Sequence, residues 1–69
     1  MKDHVYKLIE ITGTSTTTME DAINNGLQRV GQSVQQLRWF QVTEMRGDID
    51  NNRVHHWQVT LKVGFTVKE

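Results

Sequence analysis

The chain has 69 residues, no cysteine and no proline, and its eight basic residues are balanced by eight acidic ones. A chain this short forms one domain, predicted over residues 1–69, and buries only about 60% of its unfolded surface, so oligomerisation often adds stability. The missing cysteines exclude disulfides and thiolate metal sites. The charge balance argues against nucleic acid or an anionic membrane as a partner. No basic and apolar leader opens the chain and no apolar run is long enough to span a bilayer, so we expect a cytoplasmic protein without a membrane partner.

A strand followed by a helix is predicted for the first half of the chain. Residues 4–11 are rich in β-branched and aromatic types and predict a first strand. The hydroxyl-rich segment that leads to Thr18 predicts a turn, and Thr18 with Asp21 three residues later resembles a capping box. From Met19 on, apolar or small residues recur at the spacing of one helical stripe, and we expect the helix to end near Ser33.

A long antiparallel hairpin is predicted for the second half. Its strands are residues 39–47 and 54–67, and turn-forming residues around Asn51 and Asn52 join them. In the second of these strands apolar and polar residues alternate strictly, which is typical of a half-buried strand. The element order is therefore strand, helix, strand, strand.

The alternation also favours one register of the hairpin, because a one-residue slip would send the apolar residues of the two strands to opposite faces. With Asn51 and Asn52 at the tip, apolar side chains lie opposite one another on one face. The predicted pairs are Phe40 with Val63, Val42 with Leu61, Met45 with Gln58 and Trp39 with Gly64. The other face is mostly polar and carries one large indole over a residue without a side chain, which leaves room for another flat group.

A single helix cannot cover this sheet. A helix of about 15 residues is roughly 23 Å long, whereas a third strand of about 14 residues is roughly 46 Å long. Apolar residues beyond the helix need other cover, and identical copies of the chain are the simplest source.

Five segments that together span nearly the whole chain are IEITGTS at residues 9–15, MEDAI at 19–23, WFQV at 39–42, MRG at 45–47 and QVTLKVGF at 58–65. In this order and at this spacing they resemble the dodecin family. The resemblance implies an α+β fold of order β-α-β-β, in which a three-stranded antiparallel sheet wraps around one helix. It also implies a hollow homododecamer of tetrahedral symmetry.

The same resemblance implies flavin binding, with FMN, riboflavin or another flavin stacked in pairs between tryptophans of two subunits. The stacking tryptophan of the family falls on Trp39 and its ring-edge glutamine on Gln58. Glu44 matches an acidic position near the flavin in some members, and the planar fork of Arg46 suits a phosphate, which favours FMN. Thr66 stands where some bacterial members carry an arginine implicated in binding coenzyme A, which puts coenzyme A binding in doubt.

Trp39 and Gln58 cannot hold one ring system within a single chain. Gln58 lies six residues along the strand from Gly64, the predicted partner of Trp39, and this is about 20 Å at 3.3 Å per residue. We therefore expect the site to combine side chains of different subunits.

No metal site and no enzyme activity are expected. Adjacent strand residues point to opposite faces, so His55 and His56 are predicted not to chelate together. No set of nucleophile, base and oxyanion donors is found either. The leading function is a flavin-binding storage or sequestration protein that quenches its flavins. The alternatives are a structural self-assembling module without flavin and a flavin-dependent oxidoreductase.

Overall fold

The computed structural model describes residues 3–67, so the ends of the predicted domain lie outside it. Its elements are β1 (Tyr6–Ser15), α1 (Met19–Gly31), β2 (Leu37–Asp50) and β3 (Arg53–Thr66). The strands form one antiparallel sheet in the order β1-β3-β2. The predicted α+β fold of order β-α-β-β is therefore confirmed. Within residues 3–67 no helix has the length and apolar character to cross a membrane.

The first strand is longer than predicted, and the predicted turn over its last residues is wrong. Residues 12–15 continue β1 and pair along β3. Gly13 lies in this extension, and a Cβ atom there would collide with the backbone oxygen of Ala22 in α1. The extension therefore forms the surface on which the helix packs, and this packing outweighs the turn preference of the local sequence.

The helix begins as predicted. Thr18 is the N-cap, and its hydroxyl accepts a hydrogen bond from the backbone N–H of Asp21 at 3.0 Å. The hydroxyl of Thr17 donates to the Asp21 carboxylate. The first bond satisfies a backbone N–H group at the start of the helix, and the second holds the acidic side chain at the positive end of the helix dipole. The helix ends at Gly31, earlier than the predicted Ser33.

The core lies between α1 and the side of the sheet that faces it, called here the helix side. The helix packs mainly against β1 and β3. Fully buried residues are Ala22, Val59, Leu61 and Val63. Partly buried apolar residues packed against them are Ile9, Ile11, Ile23, Leu27, Leu37 and Trp57.

The predicted hairpin register is correct from Trp39 to Val42 and again at the tip, whereas a further irregularity between Leu37 and Trp39 shifts the pairing at the start of β2. Asn51 and Asn52 form the tip with φ angles of 58° and 64°, and two positive φ angles are what a type I′ turn requires. The predicted pairs Trp39 with Gly64, Phe40 with Val63 and Val42 with Leu61 are confirmed.

The middle of the predicted register is wrong, because each strand of the hairpin contains a β-bulge. An extra residue at Thr43 in β2 shifts the pairing by one, and an extra residue at His55 in β3 restores it. Met45 therefore pairs with Val59 rather than with the predicted Gln58. A bulge changes which side chains share a face, so this correction determines the composition of the candidate site.

The contact of Gly13 with α1 gives a first prediction. Gly13→Ala should destabilise the protein by about 1–3 kcal/mol, the usual cost of overpacking, and should lower the thermal midpoint at a fixed protein concentration. Gly31→Ala is the matched control, because a Cβ atom there meets only a Leu37 methyl group at 3.9 Å. It should be neutral or stabilising by up to about 1 kcal/mol. Equal midpoints for the two variants would contradict the close packing.

Candidate functional site

The sheet face turned away from α1, called here the outer face, consists of alternate residues of the three strands. It is polar except near Trp39. Its members are Tyr6, Leu8, Glu10, Thr12 and Thr14 from β1, Trp39, Gln41, Glu44, Arg46 and Asp48 from β2, and His56, Gln58, Thr60, Lys62 and Gly64 from β3.

The bulge at Thr43 brings the predicted site residues to this one face. Without it, Glu44 and Arg46 would point to the helix side. With it, both lie on the outer face together with Trp39 and Gln58. The Thr43 hydroxyl supports the bulge by donating to a backbone carbonyl of β3 at 3.2 Å.

The indole of Trp39 lies directly over Gly64, as the sequence predicts. A Cβ atom at Gly64 would overlap the indole Nε1, Cε2 and Cζ2 atoms. Because Gly64 has no side chain, the indole reaches across β3 to Tyr6, whose ring it meets edge-on with centroids 6.0 Å apart and planes at 72°. Sequence reasoning missed Tyr6, since only the strand order places β1 beside β3. Trp39 remains 40% exposed, so a further flat group can stack on it.

Arg46 and Gln58 form the polar part of the site. The Arg46 Nε donates to Gln58 Oε1 at 3.0 Å. A guanidinium can only donate, so this bond turns the amide oxygen of Gln58 toward Arg46 and leaves the amide N–H groups as donors. Glu44 lies in the adjacent row of the same face and adds a carboxylate acceptor.

The structure does not bring Trp39 together with the other three residues. Six residues of β3 separate Gly64 from Gln58, which is about 20 Å of strand. One chain therefore presents an indole subsite (Tyr6, Trp39 and Gly64) and a separate polar subsite (Glu44, Arg46 and Gln58), as the sequence predicts for Trp39 and Gln58.

The expectation that His55 and His56 point apart is wrong, because β3 is bulged at His55. Their Nδ1 atoms are 3.0 Å apart, and both face the Asp48 carboxylate. Desolvation acts to raise the pKa of Asp48. The hydrogen bond from His55, a backbone hydrogen bond and the nearby imidazole charges outweigh this effect, so the pKa of Asp48 lies below its usual value. No sequence signal reveals this cluster, since the alternation of residue types continues through the bulge.

Comparison with known proteins shows the same family in sequence. The family model described as Dodecin matches residues 5–68. Dodecin of Thermus thermophilus is 43% identical over 65 residues, which cover 94% of each chain. Calcium dodecin of Mycobacterium tuberculosis is 34% identical over 64 residues, which cover 93% of this chain and 90% of that one.

Solved structures agree. Dodecin from Streptomyces davaonensis superposes with a TM-score of 0.91 at 43% identity, over 99% of this chain and 100% of that one. The calcium dodecin of M. tuberculosis, described as a calcium-chelating antigen with a novel calcium-binding site, superposes with a TM-score of 0.79 at 34% identity, over 93% and 91% of the chains. The chain therefore belongs to the dodecin family, which its sequence matches over nearly its whole length and whose fold it shares.

Proposed function

We propose that the protein binds flavin, FMN in the first place, and stores or sequesters it in a quenched state without catalysing a reaction. The observation that carries this proposal is the position of Trp39, whose indole is supported by Gly64 and Tyr6 and still exposed on the outer face. Such an indole offers a flat, electron-rich surface to an electron-poor isoalloxazine ring. Stacking of this kind favours electron transfer in the excited state, which quenches fluorescence and limits photochemical damage.

The polar subsite suits the edge of the same ring. The imide edge of an isoalloxazine alternates carbonyl acceptors with an N–H donor, and the free amide N–H groups of Gln58 match a carbonyl. Glu44 supplies an acceptor for an N–H group. Arg46 has further N–H donors besides the Nε bound to Gln58, and these suit the phosphate of FMN.

The separation of the two subsites favours a site shared between subunits. Since about 20 Å of strand lies between Gly64 and Gln58, Trp39 of one chain and Gln58 of another must approach the same ring. A symmetric contact of two chains would stack a pair of flavins between two Trp39 side chains.

Exposed apolar surface supports assembly. The helix does not cover the β2 part of the helix side, where Phe40, Val42 and Met45 are 46%, 40% and 51% exposed. The radius of gyration is 14.2 Å, against about 11 Å for a compact chain of this length. Both values fit a protomer that is completed by copies of itself, and we propose the homododecamer that the family resemblance implies.

Binding of coenzyme A is not part of the proposal, because only the general family resemblance favours it. Thr66 stands where some bacterial members carry the arginine implicated in binding coenzyme A. Its hydroxyl accepts a hydrogen bond from Arg38 Nε at 3.1 Å. We therefore restrict the proposal to flavin and to self-assembly.

Titration with riboflavin, FMN and FAD, followed by flavin fluorescence, tests the function. Quenched binding, strongest for FMN, supports storage. A colourless protein that leaves all three unaffected would favour the structural module. Steady oxidation of reduced nicotinamide by the flavin-loaded protein would favour an oxidoreductase.

The assembly prediction is a particle with the mass of twelve chains at micromolar subunit concentration, measured by light scattering. The physical reason is the uncovered helix side of β2, which a lone chain would expose to water. A well-folded monomer at this concentration would contradict the proposal.

Trp39→Ala should weaken flavin binding and restore the emission of bound flavin while the assembly persists. Aromatic stacking contributes roughly 0.5–1.5 kcal/mol to binding beyond area burial. The substitution removes two indoles from each proposed site, because Trp39 of two chains would line it. Trp57→Phe is the matched control, because it removes an indole that packs on the core side and should leave quenching intact. Equal quenching in correctly assembled Trp39→Ala would assign Trp39 a structural role only.

Gln58→Leu should lower flavin affinity roughly tenfold or more, since an unpaired buried edge costs about 1–3 kcal/mol. Binding of a flat aromatic without an imide edge should scarcely change, and quenching of the remaining flavin should persist. Gln58 also accepts a hydrogen bond from Arg46. The same titrations on Arg46→Leu and on the double variant form a double-mutant cycle, which separates the contact of Gln58 with flavin from its contact with Arg46. Equal loss for both ligands, or loss of the assembly, would show that Gln58 holds the fold instead.

A further inference from the structure

Asp48, His55 and His56 form a cluster that the flavin proposal does not use. Asp48 pairs with His56 across the hairpin, on the outer face and two residues beyond the pair of Arg46 with Gln58. The side chains of Asp48, His55 and His56 are 54%, 52% and 39% exposed. The cluster is thus accessible from solvent near the tip of the hairpin.

The bulge at His55 creates the cluster. In a regular strand the two imidazoles would lie on opposite faces, but here their ring centroids are 4.2 Å apart. Their Nδ1 atoms approach to 3.0 Å. At this distance the lone pairs of two imidazole nitrogens repel each other unless a proton or a metal ion lies between them.

The separations of the ligand atoms match the dimensions of a metal chelate. An ion about 2.1 Å from two ligand atoms holds them about 3.0 Å apart at a bond angle of 90° and about 3.4 Å apart at the tetrahedral angle. The two Nδ1 atoms are 3.0 Å apart. His55 Nδ1 lies 3.4 Å from Asp48 Oδ2, and His56 Nδ1 lies 3.5 Å from Asp48 Oδ1.

We propose that Asp48, His55 and His56 bind a divalent transition-metal ion, with Zn²⁺ as the reference ion. Two imidazole nitrogens with one carboxylate are a donor set that zinc, copper and nickel ions accept. Calcium and magnesium prefer oxygen ligands throughout. Among residues 3–67 this is the one group of three such side chains whose ligand atoms come within 4.8 Å of one another. The site leaves coordination positions open to water or to another ligand.

This site is independent of flavin binding. Its ligands belong neither to the indole subsite nor to the polar subsite, and all three come from one hairpin of one chain. A single chain therefore contains the complete donor set, and we expect one ion per chain.

Calorimetric titration of the untagged, chelator-treated protein with Zn²⁺ tests the proposal. His55→Asn and His56→Asn should each weaken binding by about a hundredfold or more, because loss of an outer-shell partner alone costs roughly 10–100-fold. Asp48→Asn should weaken it as well. His4→Asn and Asp50→Asn are matched controls outside the cluster, and they should bind Zn²⁺ as the parent protein does.

Co²⁺ provides a second readout, since its visible absorption reports nitrogen and oxygen ligation at the ion. The parent protein and the two controls should show the same ligand-field bands, and the His55 and His56 variants should lose them. Far-ultraviolet circular dichroism will establish that each variant is folded. Tight binding that survives in folded His55→Asn and His56→Asn, or that is lost equally in His4→Asn, would overturn the site.

Discussion

The pairing of β2 with β3 is the constraint on which the rest of the structure depends. The turn at Asn51 and Asn52 starts the pairing, and the bulges at Thr43 and His55 lie in opposite strands. Either bulge alone would slip the register by one residue and send every later side chain to the other face. The two shifts cancel in the pairing, so Ile49 again pairs with Val54 as in the unbulged register. Each bulge nevertheless reverses the alternation of its own strand, which turns Glu44, Arg46 and Asp48 of β2 outward. The apolar residues Trp57, Val59, Leu61 and Val63 of β3 all lie on the same side of the bulge at His55 and keep facing the helix.

The helix adds a second constraint because it must approach the sheet closely. Gly13 permits this approach because it leaves room for the backbone of Ala22. The helix therefore packs against β1 and β3. The helix side of β2 is left partly uncovered, with Met45 about half exposed. A chain this small buries only a small core, and the apolar surface left exposed on β2 supports the self-assembly proposed above.

The outer face combines three chemically different surfaces along one hairpin. The indole subsite offers a flat aromatic surface, the polar subsite offers donors and acceptors fixed by the bond of Arg46 with Gln58, and the imidazole cluster near the tip offers metal ligands. The first two are too far apart to act on one small ring in a single chain, whereas the third is complete within it. The flavin site proposed for the first two therefore needs a second copy of the chain, whereas the proposed metal site does not.

The sequence by itself determined the element order, the N-cap at Thr18, the hairpin turn and the placement of Trp39 over Gly64. Each follows from local residue types or from the alternation along the strands, and the family resemblance added Gln58 to the candidate site. Only the tertiary structure decided that β1 continues to Ser15, that Glu44 and Arg46 join the outer face, and that the two histidines of β3 lie together. The physical reason is that alternation is a property of a single strand, whereas a bulge and a helix contact are properties of two elements packed against each other.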